Sequence, residues 1–361
     1  MKPYVLKLKT FIGDNERILL PVFLGFGFLV DSVTLRKADL LPETILIYTY
    51  LVVAGAMILL MHLIEVGIFQ GQFSNKVAPL LPLVLTYAFG SLFSAFVVFY
   101  VKSASIADSW PFILALVSVV AGLELLKQYR SRLIFNLTIY FLAILSFSIY
   151  TVPLWVGRMG ADIFLLSALV AACALAAFCF VLYLTGKTKF RENIKGIIYS
   201  VGAVATAVIV AYHANLLPPI PLVLKDIGPY HYVARDGDTY RLLGEETSLF
   251  ERLFGVTVHL VKGEPLYVFS SVYTPVRIET DIVHVWEYWS TLENDWVLSN
   301  TVSYRAEGGR EAGYRGYSFK RGIFEGKWRV TVETPDGLKL GRTEFEVVEV
   351  LQAPRIKTTA R

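Results

Sequence analysis

Leu216-Leu-Pro-Pro-Ile-Pro-Leu222 is the stretch that decides the fold, because the character of the chain differs on its two sides. Its prolines favour extended backbone and remove backbone donors, which predicts a stiff link. Residues 1–215 contain long apolar runs, whereas residues 230–350 alternate apolar and polar side chains. The sequence therefore predicts a polytopic α-helical membrane bundle, a link over 216–229, a small all-β sandwich-like exported domain and a flexible tail over 351–361.

The composition agrees with a protein that crosses a membrane several times. Hydrophobic residues make up 55% of the chain and charged residues only 18%, unlike an ordinary soluble domain. Division of the chain after His213 gives 16 basic and 10 acidic residues on the first side, and 18 and 20 on the second. The positive charge thus lies among the apolar runs, which indicates lipid headgroups as partners and argues against nucleic acid.

About seven apolar runs have the roughly 20 residues that a helix needs to cross a bilayer. The predicted spans are 17–33, 44–69, 80–101, 106–126, 133–155, 162–185 and 194–213. The first contains Gly25 and Gly27 and ends near Asp31, so a re-entrant or interfacial segment is the alternative for that run.

Basic residues in the loops predict the orientation, because Lys and Arg next to spans stay in the cytoplasm. One side holds 12 of them, namely Lys2, Lys7, Lys9, Arg17, Lys76, Lys127, Arg130, Arg132, Lys187, Lys189, Arg191 and Lys195. The other side holds 4, namely Arg36, Lys37, Lys102 and Arg158. We therefore predict a protein of the bacterial inner membrane, with a cytoplasmic N terminus and a periplasmic C-terminal domain.

Ionisable side chains are few within the spans, and those present are candidates for function. His62 and Glu65 share one helix face, because residues three apart are neighbours on a helix. Glu124 and Asn136 fall at the same predicted membrane level, with Arg130 in the turn between them, so one shared cluster is possible if the helices touch. In that cluster His62 and the carboxylates would form a proton or metal site. In the alternative, Glu65 and Glu124 pair with Arg130, Arg132 or Lys76, and His62 bonds a neighbouring helix. We predict no metal and no cofactor.

Ala168, Ala172 and Ala176 recur at a spacing of four in the predicted span 162–185. Small residues in register let helices approach closely in lipid. The spacing predicts packing within the bundle, with self-association into a homo-oligomer as the alternative.

Beyond the link the hydrophobic period changes to two, which is typical of β-strands. Tyr230–Ala234 and Thr239–Leu243 flank Asp236-Gly237-Asp238, which is a hairpin pattern. Further strands are predicted at 265–274, 281–289, 295–304, 314–320, 327–334 and 338–349. Short strands separated by turns predict a compact antiparallel sandwich.

One predicted strand, Val283-His-Val-Trp-Glu-Tyr-Trp289, carries the first candidate ligand site. Alternation places His284, Trp286 and Tyr288 on the same face. If that face points outward, it suits stacking on sugar rings or contact with lipid headgroups. In the alternative, both faces of the strand are covered and Trp286 is the core tryptophan of the sandwich.

The glycine-rich stretch Gly308–Gly316 carries the second candidate site, through Arg310 and Arg315. Guanidinium groups bind phosphate or the carboxylate of a uronic acid with two parallel hydrogen bonds. The alternative is a hairpin connection with solvated arginines.

The C-terminal part also resembles a known family. The residues that carry the resemblance are His284-Val-Trp286, Gly308–Tyr317, Gly326-Lys-Trp-Arg-Val330 and Thr343-Glu-Phe-Glu-Val347. They are similar to the uncharacterised bacterial family numbered 2914 among the domains of unknown function. Longer members are similar also at Lys102–Ser105, Ser109-Trp110, Glu124, Arg130, Arg132, Pro218–Pro221 and Tyr230-His231. The resemblance implies a bacterial envelope protein with an exported β-domain, and it implies no activity.

Two classes of function follow from these patterns. In the first, the spans anchor a non-catalytic β-domain that binds an envelope glycan, lipid or protein through Trp286, Tyr288, Arg310 and Arg315. In the second, a membrane enzyme or transporter handles a lipid-linked or small polar substrate with the cluster of His62, Glu65 and Glu124. We favour the first class, because the sequence has no recognisable catalytic motif and few charges within its spans.

Overall fold

The computed structural model describes residues 41–71, 77–78, 80–103, 106–125, 132–217, 222–237, 239–246, 256–274, 278–307 and 313–361. The chain divides into two compact units. The first consists of Met1–Lys102, Trp110–Val152 and Asp162–Ala214, and the second of Ser103–Ser109, Pro153–Ala161 and Asn215–Arg361.

Six helices are described in the first part of the chain. They are α1 (Leu41–Val66), α2 (Leu81–Ser103), α3 (Ile106–Leu125), α4 (Leu133–Val156), α5 (Ala161–Thr185) and α6 (Lys187–His213). Among the described residues, five of these helices contain a stretch long and apolar enough to cross a membrane, namely α1, α2, α4, α5 and α6. The predicted span 17–33 lies outside those residues, and the count of about seven spans is not confirmed.

The helix α6 begins seven residues before the predicted span that starts at 194. Its first turns are Lys187-Thr-Lys-Phe-Arg191, which are too polar to count as part of an apolar run. Lys and Arg are nevertheless good helix formers, so the helix continues through them. The hydropathy pattern therefore marks the apolar part of this helix rather than its start.

Apolar side chains cover the outer faces of the helices as well as the inner ones. Leu85 and Phe89 are buried inside the helical unit, whereas Leu169, Phe180 and Ile198 are about 60% exposed. A helix that is apolar all round is typical of a membrane span. These outer faces are compatible with a membrane protein.

The helices α1 and α5 come close together at Gly186, which follows the end of α5. A Cβ atom at Gly186 would lie 2.5 Å from Cγ2 of Val66 and 2.7 Å from Nε2 of His62. Glycine at this position therefore permits a close approach to Val66 and His62 that a residue with a Cβ atom would prevent. The close approach brings the His62 ring to the end of α5.

The packing face of α5 differs from the predicted one. Its buried residues are Ile163, Phe164, Ser167, Ala171, Leu175 and Leu182. Ala168 is half-buried, and Ala172 and Ala176 are exposed. The prediction that this alanine row packs within the bundle is therefore wrong for the described helices. Self-association through it stays a prediction.

Eleven strands are described in the second unit. They are β1 (Val223–Tyr230), β2 (Tyr232–Asp236), β3 (Thr239–Gly244), β4 (Val256–Val261), β5 (Leu266–Tyr273), β6 (Glu279–Ser290), β7 (Asp295–Glu307), β8 (Tyr314–Lys320), β9 (Gly326–Glu333), β10 (Lys339–Val350) and β11 (Lys357–Ala360). The predicted hairpin is present as β2 and β3, and Gly237 takes the left-handed conformation of its turn, with φ of 60°. Asparagine, aspartate and glycine favour such turns for this reason.

The strands form three sheets. The β5 sheet has the order β1-β5-β8, the five-stranded sheet β4-β10-β9-β6-β7, and the β3 sheet β11-β3-β2. All described pairs are antiparallel except β4 with β10, which is parallel.

The strand β5 lies between two other sheets. Its Leu266 and Val268 share one core with the five-stranded sheet, and its Phe269 packs on the other side with Val233 and Leu242 of the β3 sheet. The main core contains Val258, Leu260, Leu266, Val268, Trp286, Ile323, Trp328, Val330, Phe345 and Val347. Coverage on both faces explains the nearly continuous apolar run of β5.

Three strands lie where the sequence predicts none, namely β1, β4 and β11, and the strand β4 falls between the predicted strands 239–243 and 265–274. The strand β1 falls in the predicted link, because a bulge between Leu224 and Asp226 breaks the period of two. The strand β11 falls in the predicted tail, and all four of its residues are exposed. Backbone pairing with β3 forms it, so no hydrophobic pattern marks it. Residues 218–221 of the link lie outside the described part of the chain.

Candidate ligand-binding surface

The predicted ligand stripe on β6 is not at the surface. His284 and Trp286 are 0% exposed, because their face of β6 points into the main core. Tyr288 is half-buried, with its ring centroid 5.1 Å from that of Phe324 and 5.6 Å from that of Trp328. Trp286 is thus the core tryptophan of the alternative interpretation. Direct ligand contact at His284 or Trp286 would require the sheets to separate.

Hydroxyl groups satisfy the polar atoms of this buried stripe. The imidazole of His284 lies 2.8 Å from Oγ of Ser318 through Nδ1, and 2.7 Å from Oγ of Ser270 through Nε2. The indole of Trp286 donates to the same Ser318 oxygen, and the hydroxyls of Ser270 and Tyr304 lie 2.7 Å apart. Burial lowers the pKa of His284 to about 4. The ring is neutral near pH 7, and its satisfied bonds indicate a structural role.

Of the two arginines predicted to bind an anion, the structure describes only one. Arg310 lies outside the described residues. Arg315 lies in β8, and its Nη1 donates to the carbonyl oxygen of Arg361 at 2.9 Å. The hydroxyl of Tyr240 donates to the carbonyl oxygen of Arg315 at 3.0 Å. Arg315 is therefore held beside the β3 sheet.

Alternation along β8 places Arg315 on the same face as Tyr317 and Phe319. Gly316 and Ser318, between them, are buried. The face that carries Arg315 is the face of the β5 sheet on which the β3 sheet packs, and it stays partly exposed at Tyr317 and Phe319.

Five aromatic rings lie on this face, where the β3 sheet leaves it open, and on the adjoining edge of the β3 sheet. They are Tyr232, Tyr240, Tyr267, Tyr317 and Phe319, and we call them the aromatic surface. The ring of Tyr267 is central, with centroids 5.6 Å from Tyr232, 5.4 Å from Phe319 and 6.0 Å from Tyr317. Tyr240 lies 6.3 Å from Tyr317. Tyr232 and Phe319 are each 48% exposed and Tyr317 is 36% exposed.

The chemistry of the aromatic surface suits a ligand that is apolar on one side and polar at its edges. Tyrosine has an apolar ring face and a hydroxyl that donates or accepts a hydrogen bond. Contiguous exposed aromatic side chains mark binding sites more often than single ones do. The Arg315 guanidinium on the same face adds a positive charge.

Sequence reasoning missed all five rings as site residues, because they come from four separate strands. The alternation of Tyr317 and Phe319 with Gly316 and Ser318 does indicate one exposed aromatic face on β8. The adjacency of Tyr232 and Tyr267 depends on how the β3 sheet packs against β5, and no local pattern encodes that packing.

The intramembrane candidates separate into different environments. Nε2 of His62 lies 3.0 Å from the carbonyl oxygen of Leu182, and the ring is buried. Glu65 is instead half-exposed and pairs with Lys189 at 3.5 Å. The His62 contact is that of the alternative interpretation, in which His62 bonds a neighbouring helix. Glu65 also pairs with a basic residue, but this is Lys189 and not one of the predicted partners.

The remaining members of that set give no ion site within the described residues. Asn136 is buried in α4. The side chain of Glu124 and all of Arg130 lie outside what the structure describes. No group of three or more His, Cys, Asp or Glu side chains there is arranged to hold a metal ion. A membrane enzyme or transporter site therefore stays a prediction, without support from His62 and Glu65.

Residues 279–347 match the family model described as Protein of unknown function (DUF2914). The match confirms the resemblance predicted from the sequence, over β6 to β10. The similarity predicted for the helical part lies outside the matched residues. No curated protein matches the chain.

Among solved structures, the chain is similar to the Pseudomonas fluorescens alkylpurine DNA glycosylase AlkC bound to DNA containing an abasic site analog. The identity is 9% and the TM-score 0.23, over 86% of this chain and 99% of that one. A TM-score this low carries no argument about fold or function.

Proposed function

We propose that this chain is an integral membrane protein of the bacterial envelope whose β-rich unit binds a glycan chain without catalysis. The aromatic surface is the observation that carries the proposal. The helices of the protein serve as the membrane anchor. The ligand contacts the side chains of Tyr232, Tyr267, Tyr317 and Phe319, with Arg315 beside them.

The pairing of rings with hydroxyl groups favours a glycan over a purely apolar partner. Sugar rings have faces of C–H bonds that stack on aromatic rings, and equatorial hydroxyls that hydrogen-bond at the ring edges. Four of the five rings of the aromatic surface are tyrosines, so both kinds of contact are available within one patch. A glycan that contains acidic sugars would also meet the guanidinium of Arg315.

The orientation in the membrane is part of the proposal. The excess of Lys and Arg in alternate loops supports a cytoplasmic N terminus and an exported β-rich unit in the bacterial inner membrane. The exposed apolar faces of α5 and α6 support contact with lipid. Envelope glycans are polymers on the exported side, where the aromatic surface would meet them.

The test of glycan binding uses the full chain in lipid nanodiscs and soluble N-acetylglucosamine oligomers as the probe, with affinity measured by calorimetry. The double variant Tyr317→Ala with Phe319→Ala should bind at least about tenfold more weakly, because aromatic anchors carry much of the binding free energy. Leu298→Ala is the matched control. Leu298 is 62% exposed on β7, outside the aromatic surface, and its loss should leave the affinity unchanged.

Unchanged affinity in the double variant would contradict the role of the aromatic surface. Tyr317→Phe separates the two contacts, since it keeps the ring and removes the hydroxyl. A loss in the alanine variant that Tyr317→Phe does not reproduce would assign the binding to stacking.

The orientation has a separate test. A reporter that is active only after export, fused behind Arg361, should be active in cells. Cytoplasmic activity of such a fusion would contradict the exported placement, whatever the outcome of the glycan experiment.

A further inference from the structure

A cleft of about 750 Å³ opens at the edge of the β-rich unit, away from the residues of the aromatic surface. Its lining includes Glu245 and Glu246 after β3, His259 on β4, and Arg355 and Lys357 near β11. Three separate strands thus bring charged and titratable side chains to one cavity.

The carboxylate of Glu245 is anchored by three hydrogen bonds. Its Oε1 accepts the backbone N–H of His259 at 2.7 Å and lies 3.0 Å from Nε2 of His231. Its Oε2 lies 2.7 Å from Nδ1 of His259. The side chain of Glu245 is only 16% exposed and that of His231 only 7%, so both are held within the protein.

This carboxylate decides which nitrogen of His259 carries the proton. An ionised carboxylate only accepts hydrogen bonds, so Nδ1 of His259 must donate. In a neutral ring Nε2 is then the acceptor. The side chain is 44% exposed and lines the cleft. Among the described residues, Nε2 of His259 has no hydrogen-bond partner.

The two cations of the cleft are not equivalent. Lys357 pairs with Glu246 at 2.9 Å, and these two charges cancel. Arg355 is exposed and makes no ion pair within the described chain. The cleft therefore has one available guanidinium for an anion and one fixed imidazole acceptor for a hydroxyl.

We propose that this cleft binds a hydroxylated carboxylate of the uronic acid class. Arg355 binds the carboxylate through its guanidinium fork, and Nε2 of His259 accepts a hydrogen bond from a ring hydroxyl. Glu245 is a positioning residue, which acts through His259 by fixing its tautomer. The site is separate from the aromatic surface, and it does not depend on the proposed function.

The test uses the full chain in lipid nanodiscs at about pH 8 and free glucuronate as the probe, with glucose and propionate as comparison ligands. Glucose has no carboxylate and propionate has no hydroxyl, so each should bind at least about tenfold more weakly than glucuronate. Arg355→Ala should weaken glucuronate binding by a similar factor. Arg355 is exposed, so this variant should fold normally.

Glu245→Gln tests the positioning role. Its amide oxygen can still accept from His231 and the His259 backbone, so the NH₂ group faces Nδ1 of His259 and must donate to it. The ring proton then moves to Nε2, and the acceptor in the cleft becomes a donor. Nitrogen NMR with labelled histidine reads this tautomer, and the chain has only five histidines. A purely structural role for Glu245 would not change the tautomer in this way.

Lys262→Ala is the matched control, because Lys262 is an exposed cation at the end of β4 outside the cleft. It should bind glucuronate as the unmodified protein does. The proposal would be overturned if the unmodified protein did not bind glucuronate at about 50 mM. It would also be overturned if Arg355→Ala bound glucuronate as tightly as the unmodified protein does. Weaker binding by Glu245→Gln without the tautomer change would overturn the role of Glu245. The Tyr317→Ala with Phe319→Ala variant should keep glucuronate binding, which separates this site from the proposed glycan surface.

Discussion

The main core of the β-rich unit and its aromatic surface contain similar side chains in very different surroundings. In the core, Trp286 and His284 are fully buried, and every side-chain nitrogen of the pair has a hydroxyl partner. On the aromatic surface, Tyr232 and Phe319 leave about half of their area open. Residue type therefore does not distinguish a structural aromatic cluster from a binding one. The number of layers that cover the strand face does distinguish them.

Removal of Trp286 should give the largest loss of stability. Trp286→Ala leaves a large cavity in the main core and removes the hydrogen bond from the indole to the Ser318 hydroxyl, and such truncations cost about 3–5 kcal/mol. The measurement is urea unfolding of the full chain followed by circular dichroism. Trp296→Ala is the matched control, because Trp296 is only half-buried beside Trp289 and Arg329. An equal loss in both variants would contradict the assignment of Trp286 to the core.

The stability of the β-rich unit should fall on acidification because of His284. The folded-state pKa is about 4, below the ordinary value of about 6.5 in an unfolded chain. The unfolded state therefore binds the proton first, and stability is lost as the pH falls from about 6.5 towards 4. The loss is about 3 kcal/mol by linkage. His284→Gln should start less stable and show a smaller loss over this range, and identical pH profiles would refute the assignment.

Gly316→Ala should produce a smaller loss by overpacking the same buried network. A Cβ atom there would lie 2.5 Å from Cε2 and Cζ of Tyr304, and forced repacking of a core costs about 1–3 kcal/mol. Gly228→Ala is the control, since its Cβ would lie 3.5 Å from the nearest atoms, on Tyr230. Thermal unfolding of the full chain would measure both, and equal midpoints would contradict close packing at Gly316.

Tyr317→Ala should have the smallest effect on stability while having a large effect on binding. Substitutions at exposed positions usually change the free energy of unfolding by within about 0.5 kcal/mol. Trp286→Ala shows the reverse pattern, in which binding fails only when the protein unfolds. A large loss of stability from Tyr317→Ala would place this ring with the core and remove the contrast between the two regions.

Sequence patterns predicted the elements that are determined by neighbouring residues, such as turns and apolar helices. The β2–β3 hairpin follows from Asp236-Gly237-Asp238, and five of the helices follow from apolar runs near bilayer length. The alternation on β6 correctly grouped His284 with Trp286. It could not say which face is covered, because that depends on the position of β5 across the core.

The sites depended more strongly on non-local contacts. His231, Glu245 and His259 are scattered in sequence, and their meeting at one carboxylate requires β4 to lie beside the β2–β3 hairpin. Arg315 alone was identified in advance near the aromatic surface. The prediction of ligand contact at His284 and Trp286 did not allow for the β5 sheet, which covers their face of β6. The rings of the aromatic surface lie instead on β2, β3, β5 and β8.

The parallel pairing of β4 with β10 also leaves β4 without its partner strand for part of the synthesis of the chain. Val256 is paired with Phe345, so β4 emerges well before its only described sheet partner exists. At a synthesis rate of about 5–20 residues per second, the delay is on the order of ten seconds. During that delay Val256-Thr-Val-His-Leu-Val261 is an unpaired segment rich in β-branched residues, which is the kind that pairs with other chains. The growing chain is therefore most vulnerable to aggregation in the interval between these two strands.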